Sequence, residues 1–560
     1  MRLCVPFLLA AFFTSPCASQ TNPTENSTEL TVHGRVLQEP GGQPLRKVEV
    51  QLAARNGQRS EGASATTDAE GKFEIEHVKP GRYIVSLERA GFVQPNWRGK
   101  QVELNSGQDA SDLVLHMQAS AVIAGKVFDS DGDPIPNISV QAVSARPGDS
   151  ARASGYAMSN DLGEYRIGGL RPGRYLVFVN PSHGIKVSGT SEKDPAKPTL
   201  SYIPTYYPGT IDKTQAVAIE LHAGDETPIN LTPLTSTTFR IRGVVTKPAG
   251  NKFAQLFLGS SSREDLRQGN QPLGDDGAFE FRGLLPGSYT AYLMVVDVAA
   301  FVQSRNTRPQ MQVMRLGQPI EVTNANVDGL HLVPEAPGVV RGRFRMDKEQ
   351  KIDWTQVSVV LTPDDQGSTT EMFGGGMAGA QVQRDGSFEM KDVTAGNYRV
   401  AVTSNFSGLR DYFTKAVNLD GKDVSDSGFS VSGGTSVLDI LVSANGATIE
   451  GTVVDAKGHP LAEATVVGAP NGERRKRFDL FGQEVSDAQG HFSLHGLNPG
   501  EYTVMAWEDP QYNVHDQEFL ASSEDMGQKV QLDEGSLKTI TVKVIPAIDE
   551  EAEAPSRAKP

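Results

Sequence analysis

Cysteine is nearly missing from this 560-residue sequence. The two that occur, Cys4 and Cys17, both sit in a short apolar leader. The rest of the chain has no thiol to form a disulfide, act as a nucleophile or hold a metal as thiolate. Long apolar runs are missing as well. After the leader nothing approaches the ~18 residues that span a membrane, and the stretch Ala291 to Phe301 is short and holds Asp297. Positive charge is in deficit: 53 Lys and Arg face 68 Asp and Glu, a net charge of −15. That balance disfavours a nucleic-acid partner, which needs excess cation against phosphate; solubility is its simplest meaning. There is no Gly-x-Ser-x-Gly elbow, no phosphate-cradling glycine loop and no paired carboxylates in an acid/base arrangement. No cofactor is expected.

The two ends stand apart from the rest. Met1-Arg2, the apolar run Val5 to Phe13 and the small residues around Cys17-Ala18-Ser19 read as a signal peptide over 1–19. A lipid anchor on Cys17 is the competing reading, weakened by Pro16 where a small residue is usual. An exported chain without cysteine points to a bacterial, secreted, periplasmic or cell-surface protein with no transmembrane segment after signal removal. Residues 20–30 read as a linker. Residues 547–560 mix acid, alanine and proline without periodicity and read as a disordered tail.

What the chain does have is repetition. Five times it spells Gly-x-aromatic-x-apolar-x-x-apolar-x-(Pro/Ala)-Gly-x-Tyr: Gly71 to Tyr83, Gly163 to Tyr175, Gly277 to Tyr289, Gly386 to Tyr398 and Gly490 to Tyr502. Starts roughly a hundred residues apart are too widely spaced for a solenoid and suit a whole small domain. In the first copy Phe73 and Ile75 alternate with charged residues, as do Tyr83, Val85 and Leu87 after the turn; both are half-buried strands. Pro80-Gly81 fits a type II turn. Val78 is out of phase with Ile75, so a bulge there would keep it inward. A second signature lies upstream: Gly34-Arg-Val36, then a Gly/Pro turn, then Val48 to Leu52. It recurs from Gly125 and from Gly451, and is degenerate in the third and fourth copies. About seven short strands per copy, with turns every ~8–12 residues, is the sandwich pattern. The expected fold is all-β: a tandem array of about five small antiparallel β-sandwiches of Ig-like or transthyretin-like type. They would span 31–117, 118–234, 235–335, 336–445 and 446–546.

The two signatures together resemble the carboxypeptidase regulatory-like family, strongly in the first, second and fifth copies and moderately in the others. The resemblance implies a transthyretin-like, carbohydrate-binding-like sandwich that acts as an accessory module and carries no catalytic residues. It implies an exported, noncatalytic protein and names no ligand.

Candidate sites are few. Asp129, Asp131 and Asp133 crowd oxygen ligands of the kind calcium prefers, in a turn that other copies make without acid. His491 and His495 share one strand face without an evident third ligand, and His515-Asp-Gln-Glu518 lacks the later histidine of a zinc peptidase. Arg474-Arg475-Lys476-Arg477 is the one strong basic run and reads first as a solvated loop. Tyr202, Tyr206 and Tyr207 lie in a proline-stiffened insertion of the second copy, and Trp97 occupies the corresponding region of the first. Such rings suit sugar stacking or protein contact, and equally suit capping of the sandwich beneath them. Two functions remain: a multivalent binding protein for a polysaccharide or envelope protein, and a structural spacer of an envelope assembly without a small ligand.

Overall fold

The computed structural model describes residues 30–546, apart from 55–62, 96–99, 105–109, 146–152, 182–197, 248–251, 261–266, 298–310, 351, 364–377, 405–409, 509–513 and 515. The signal peptide, most of the linker, the tail, Trp97 and His515 lie outside the described residues.

Within them, alternation drives the chain into five β-sandwiches, each with its own buried core. The first shows the plan. One sheet orders Lys72–Val78, Leu30–Glu39, Ala110–Ala119 and Phe92–Val93; the other orders Ala63–Thr66, Glu49–Ala54, Gly81–Glu88 and Lys100–Leu104. Pairing is antiparallel except at one place: the first strand, Leu30–Glu39, runs parallel to the last, Ala110–Ala119. All five sandwiches repeat this parallel pair, for instance Ala447–Val454 beside Leu537–Ile545. Parallel first and last strands make the chain enter a sandwich at one end and leave at the other, which is what head-to-tail tandem linkage needs. The first sandwich forms one compact unit, ending at Ala119; the other four form a second, starting at Ser120.

The repeated motif acquires a role residue by residue. Its first glycine turns the chain at φ 66 to 83° in all five copies. The expected bulge is present: register shifts between Leu30 and Val32 opposite Val78, and His77 adopts φ 60°. The same motif position is left-handed in every copy, as Gly169, Gly283, Asp392 and Gly496. The extra residue returns Val78 to the core, where it is buried.

The Pro-Gly step differs from expectation. Gly81, Gly173, Gly287 and Gly500 sit at φ 145 to 157°, far from the φ near +80° of a type II turn. The motif tyrosine closes the turn instead. Its hydroxyl donates to the carbonyl four residues upstream: Tyr83 to Lys79, Tyr175 to Arg171, Tyr289 to Leu285 and Tyr398 to Thr394, at 2.6–2.9 Å.

The upstream signature also finds its reason. The first strand crosses the last so closely that a Cβ on Gly34, Gly125, Gly243, Gly342 or Gly451 would overlap a carbonyl oxygen of the parallel partner segment, from Leu113, Ile229, Leu330, Leu438 or Ile540.

Two sandwiches carry a third layer. In the fifth, a short helix, Gln517–Ser523, capped by Asp516, lays Phe519 on Trp507 with ring centroids 5.1 Å apart. At seven residues it is too short to show helical periodicity in the sequence. In the second, the aromatic insertion covers the outer sheet face.

Candidate functional site

The sequence left two roles for the insertion of the second sandwich, offering ring faces or capping the sandwich. Tyr202 and Tyr206 are inside, 3% and 2% exposed, and Tyr207 is half-buried against the same core. Tyr206 packs on Phe178 at 4.8 Å between centroids, over Val143 and Leu176. These outward-facing apolar side chains need a cover, and a tyrosine-rich segment supplies it. Tyr202 does two things at once. Its ring belongs to the core of the second sandwich, while its backbone lies in a strand, Thr199–Tyr202, paired with Thr235–Thr238 at the start of the third. Thr205 locks the corner: its hydroxyl donates to Ile203 O and accepts from Leu234 N, at 2.8 and 2.9 Å. The insertion is thus a strand donated from one sandwich to the next.

The acidic turn has a local explanation. One carboxylate oxygen of Asp129 accepts from Asp131 N and Asp133 N at 3.0 and 2.9 Å, and Asp129 N donates to Asp133 O. Asp455 makes the same bonds to Lys457 N and His459 N in the fifth sandwich. Those bonds, led by the one from His459 N, hold the Asp455 carboxyl below its ordinary range. Asp131 and Asp133 point to solvent. Among the described residues, no group of three His, Asp or Glu side chains is placed to hold a metal ion.

The basic run is not a solvated loop. Residues Gly472–Lys476 form a 3-10 turn at the junction of the fourth and fifth sandwiches. Arg477 is 6% exposed. It donates to both oxygens of Asp479 at 3.3 and 2.6 Å, and across the junction to Ser425 O and Asp426, both at 2.8 Å. Burial alone would depress this guanidinium; the bonds to Asp479 and Asp426 outweigh it and hold the group above its ordinary value. Arg475 grips Glu524 with two bonds of 2.8 and 3.0 Å, and Arg474 donates to Pro499 O at 2.8 Å. Only Lys476 of the four is exposed.

Further bonds tie the same two sandwiches. Asn498 donates to Thr414 O at 2.9 Å, and Lys415 reaches Asp347 and Glu534 at 3.2 and 2.9 Å. His495 meets Asp411 at 3.0 Å through Nδ1 and Ser493 at 2.8 Å through Nε2, whereas its strand companion His491 faces Asp487. The two histidines are therefore committed to different partners. Between the two sandwiches these contacts leave a cleft of about 380 Å³. The fourth contributes Phe344, Trp354 and Tyr412 to its walls, and the fifth Leu480, His495 and Asn498. Sequence reasoning did not reach this cleft, because its walls come from widely separated segments of two sandwiches with no shared motif.

Fold and junctions together define a tandem β-sandwich protein with built inter-domain contacts. Residues 31–118, 122–189 and 448–544 match the carboxypeptidase regulatory-like domain. The chain carries this domain in tandem. The matched stretches fall in the first, second and fifth sandwiches, the copies whose two signatures are most complete. Colossin-A of Dictyostelium discoideum is 22% identical over 538 residues, covering 86% of this chain and 4% of that protein. The chain thus spans a small fraction of that relative's length. Among solved structures, the minor pilin GBS52 of Streptococcus agalactiae is 14% identical, covering 40% of this chain and 99% of that one, with a TM-score of 0.21. Two B repeat units of the collagen-binding protein of Staphylococcus aureus are 12% identical, covering 74% and 99%, with a TM-score of 0.12. Among the described residues no helix is long and apolar enough to cross a membrane.

Proposed function

We propose that this chain is a noncatalytic, exported scaffold in which the second sandwich is docked to the third, and the fourth to the fifth, rather than strung on free linkers. The observation that carries it is the donated strand: Thr199–Tyr202 is rooted by Tyr202 in the core of the second sandwich and extends a sheet of the third. The residues that could have served chemistry or ligand stacking are engaged in the fold and its junctions. Asp129 holds a turn, Arg477 clamps the fourth sandwich to the fifth, and Tyr206 covers a sheet face. An envelope or surface assembly is the setting such a scaffold suits, with a protein as its partner. Polysaccharide binding through Tyr202 and Tyr206 would require the docked insertion to lift away.

Crosslinking in intact cells, with the tagged chain as bait, tests this. A reproducible envelope-protein neighbour is expected. Turnover of a peptide, ester or glycoside substrate by the purified mature chain would refute the noncatalytic reading. Hydrogen exchange at Thr235–Thr238 that is as fast as in an unpaired strand would refute the docking.

A further inference from the structure

The cleft between the fourth and fifth sandwiches has the makings of a binding site. Its volume of about 380 Å³ lies within the ~300–1,000 Å³ typical of small-molecule sites, which favour domain interfaces. Its two walls differ in chemistry. On the fourth sandwich, Trp354 and Tyr412 are half-buried and line the space, with Trp354 braced by Phe344 at 5.4 Å between ring centroids. Tyr412 is fixed through its hydroxyl, which accepts from Gln350 at 2.8 Å. On the fifth, Asn498 and His495 bring an amide and an imidazole, each oriented by a bond across the junction.

Charge narrows the ligand class. Asp479, on the cleft wall, is neutralised by Arg477, and Asp411 faces His495. Close in sequence to the lining segment 412–414, Arg410 pairs with Glu484, and Lys415 with Glu534 and Asp347. An ionic ligand would have to break one of these pairs to find a counter-charge. A neutral molecule would not. Braced aromatic faces opposite an oriented amide suit a ring with an apolar C–H face and hydroxyls at its edge.

We propose that this cleft binds a neutral mono- or disaccharide unit, stacked on Trp354 and Tyr412 and hydrogen-bonded by the Asn498 amide, with His495, its ring nitrogens held by Asp411 and Ser493, as part of the facing wall. The ligand would touch both sandwiches and so reinforce their docking. This goes beyond the scaffold reading, which stands if the cleft proves empty of sugar.

The test uses the full mature chain with glucose, galactose, N-acetylglucosamine and their β-linked disaccharides as probes. Saturation-transfer NMR and tryptophan fluorescence report binding. At least one neutral sugar is expected to bind saturably, and Trp354→Phe to remove the fluorescence response. Tyr412→Ala should weaken binding about tenfold, the order expected for one lost aromatic contact. Asn498→Ala, remote from the Phe344 packing, covers the case in which an aromatic variant melts early; it too should weaken binding. No saturable binding to any neutral probe overturns the proposal. Binding that is unchanged in all three variants, or confined to uronic or sialic acid probes, overturns it as well.

Discussion

Tyr83 offers a measurement that separates a ring from a hydroxyl. The side chain is 6% exposed, and its hydroxyl donates to Lys79 O at 2.8 Å across the turn. Tyr83→Phe keeps the ring and deletes the bond. Lys79 O lies where water can partly replace the lost donor, so the cost should be about 1 kcal/mol. Tyr83→Ala deletes both and leaves a cavity among Phe73, Ile75 and Val85, at about 3–5 kcal/mol. Against a total stability of ~5–15 kcal/mol for a domain, the second loss is severe. For a domain this small, each kcal/mol moves the melting midpoint by roughly 4–8 °C. The first sandwich is a compact unit of its own, so its transition can be followed in the whole chain. Calorimetry with hydrogen exchange on Lys72–Val78 and Gly81–Glu88 is the assay. A Phe variant as unstable as the Ala variant would show that the hydroxyl, not the ring, carries the motif. An Ala variant that melts with the wild type would refute the core assignment altogether.

Three other outcomes are expected. Gly451→Ala should destabilise the fifth sandwich by about 3 kcal/mol or more, since its Cβ would overlap Ile540 O and press the Phe492 ring; an unmoved melting transition would disprove the close approach. Arg477→Ala should cost about 3–5 kcal/mol because it strands the Asp479 carboxylate, 12% exposed, while Asp426 stays in water. Pairing Arg477→Met with Asp479→Leu should recover much of that loss, and strictly additive effects in the cycle would count against a coupled clamp. Burial pushes the phenols of Tyr398 and Tyr502 up to about 12 from 10.0. Below pH 10 both folded and unfolded chains keep these protons. Between about pH 10 and 12 only the unfolded chain releases them, so stability falls with rising pH, by about 3 kcal/mol per tyrosine at the upper end. Phenolate absorbance from these residues should appear only with unfolding, and titration near pH 10 in the folded protein would refute their burial.

Much of the fold was legible because the signals are local. Alternation placed Phe73, Ile75 and Tyr83 in the core, and the phase break at Val78 predicted the bulge that His77 forms. Pro80-Gly81 was misread because the dipeptide is compatible with more than one turn, and the closing bond comes from Tyr83, three residues after Pro80. The glycines of the first strands were visible as a pattern without a cause; the cause is a carbonyl about eighty to a hundred residues further on. The insertion stayed ambiguous in the sequence for a deeper reason. A tyrosine has one wet end and one apolar body, so composition cannot tell an exposed platform from a cover.

By itself, then, the sequence determined that five β-sandwiches follow one another, where their cores lie and which residues turn the chain. Period-two alternation and turn chemistry act over a few residues and are rewritten in each copy. Only the tertiary structure decided how neighbouring copies join: Tyr202 seated in one sandwich with its strand in the next, Arg477 reaching Asp426, and a cleft walled by Trp354 and Asn498. Those contacts depend on where separate folded units bring their surfaces together, and no repeat in the chain encodes that.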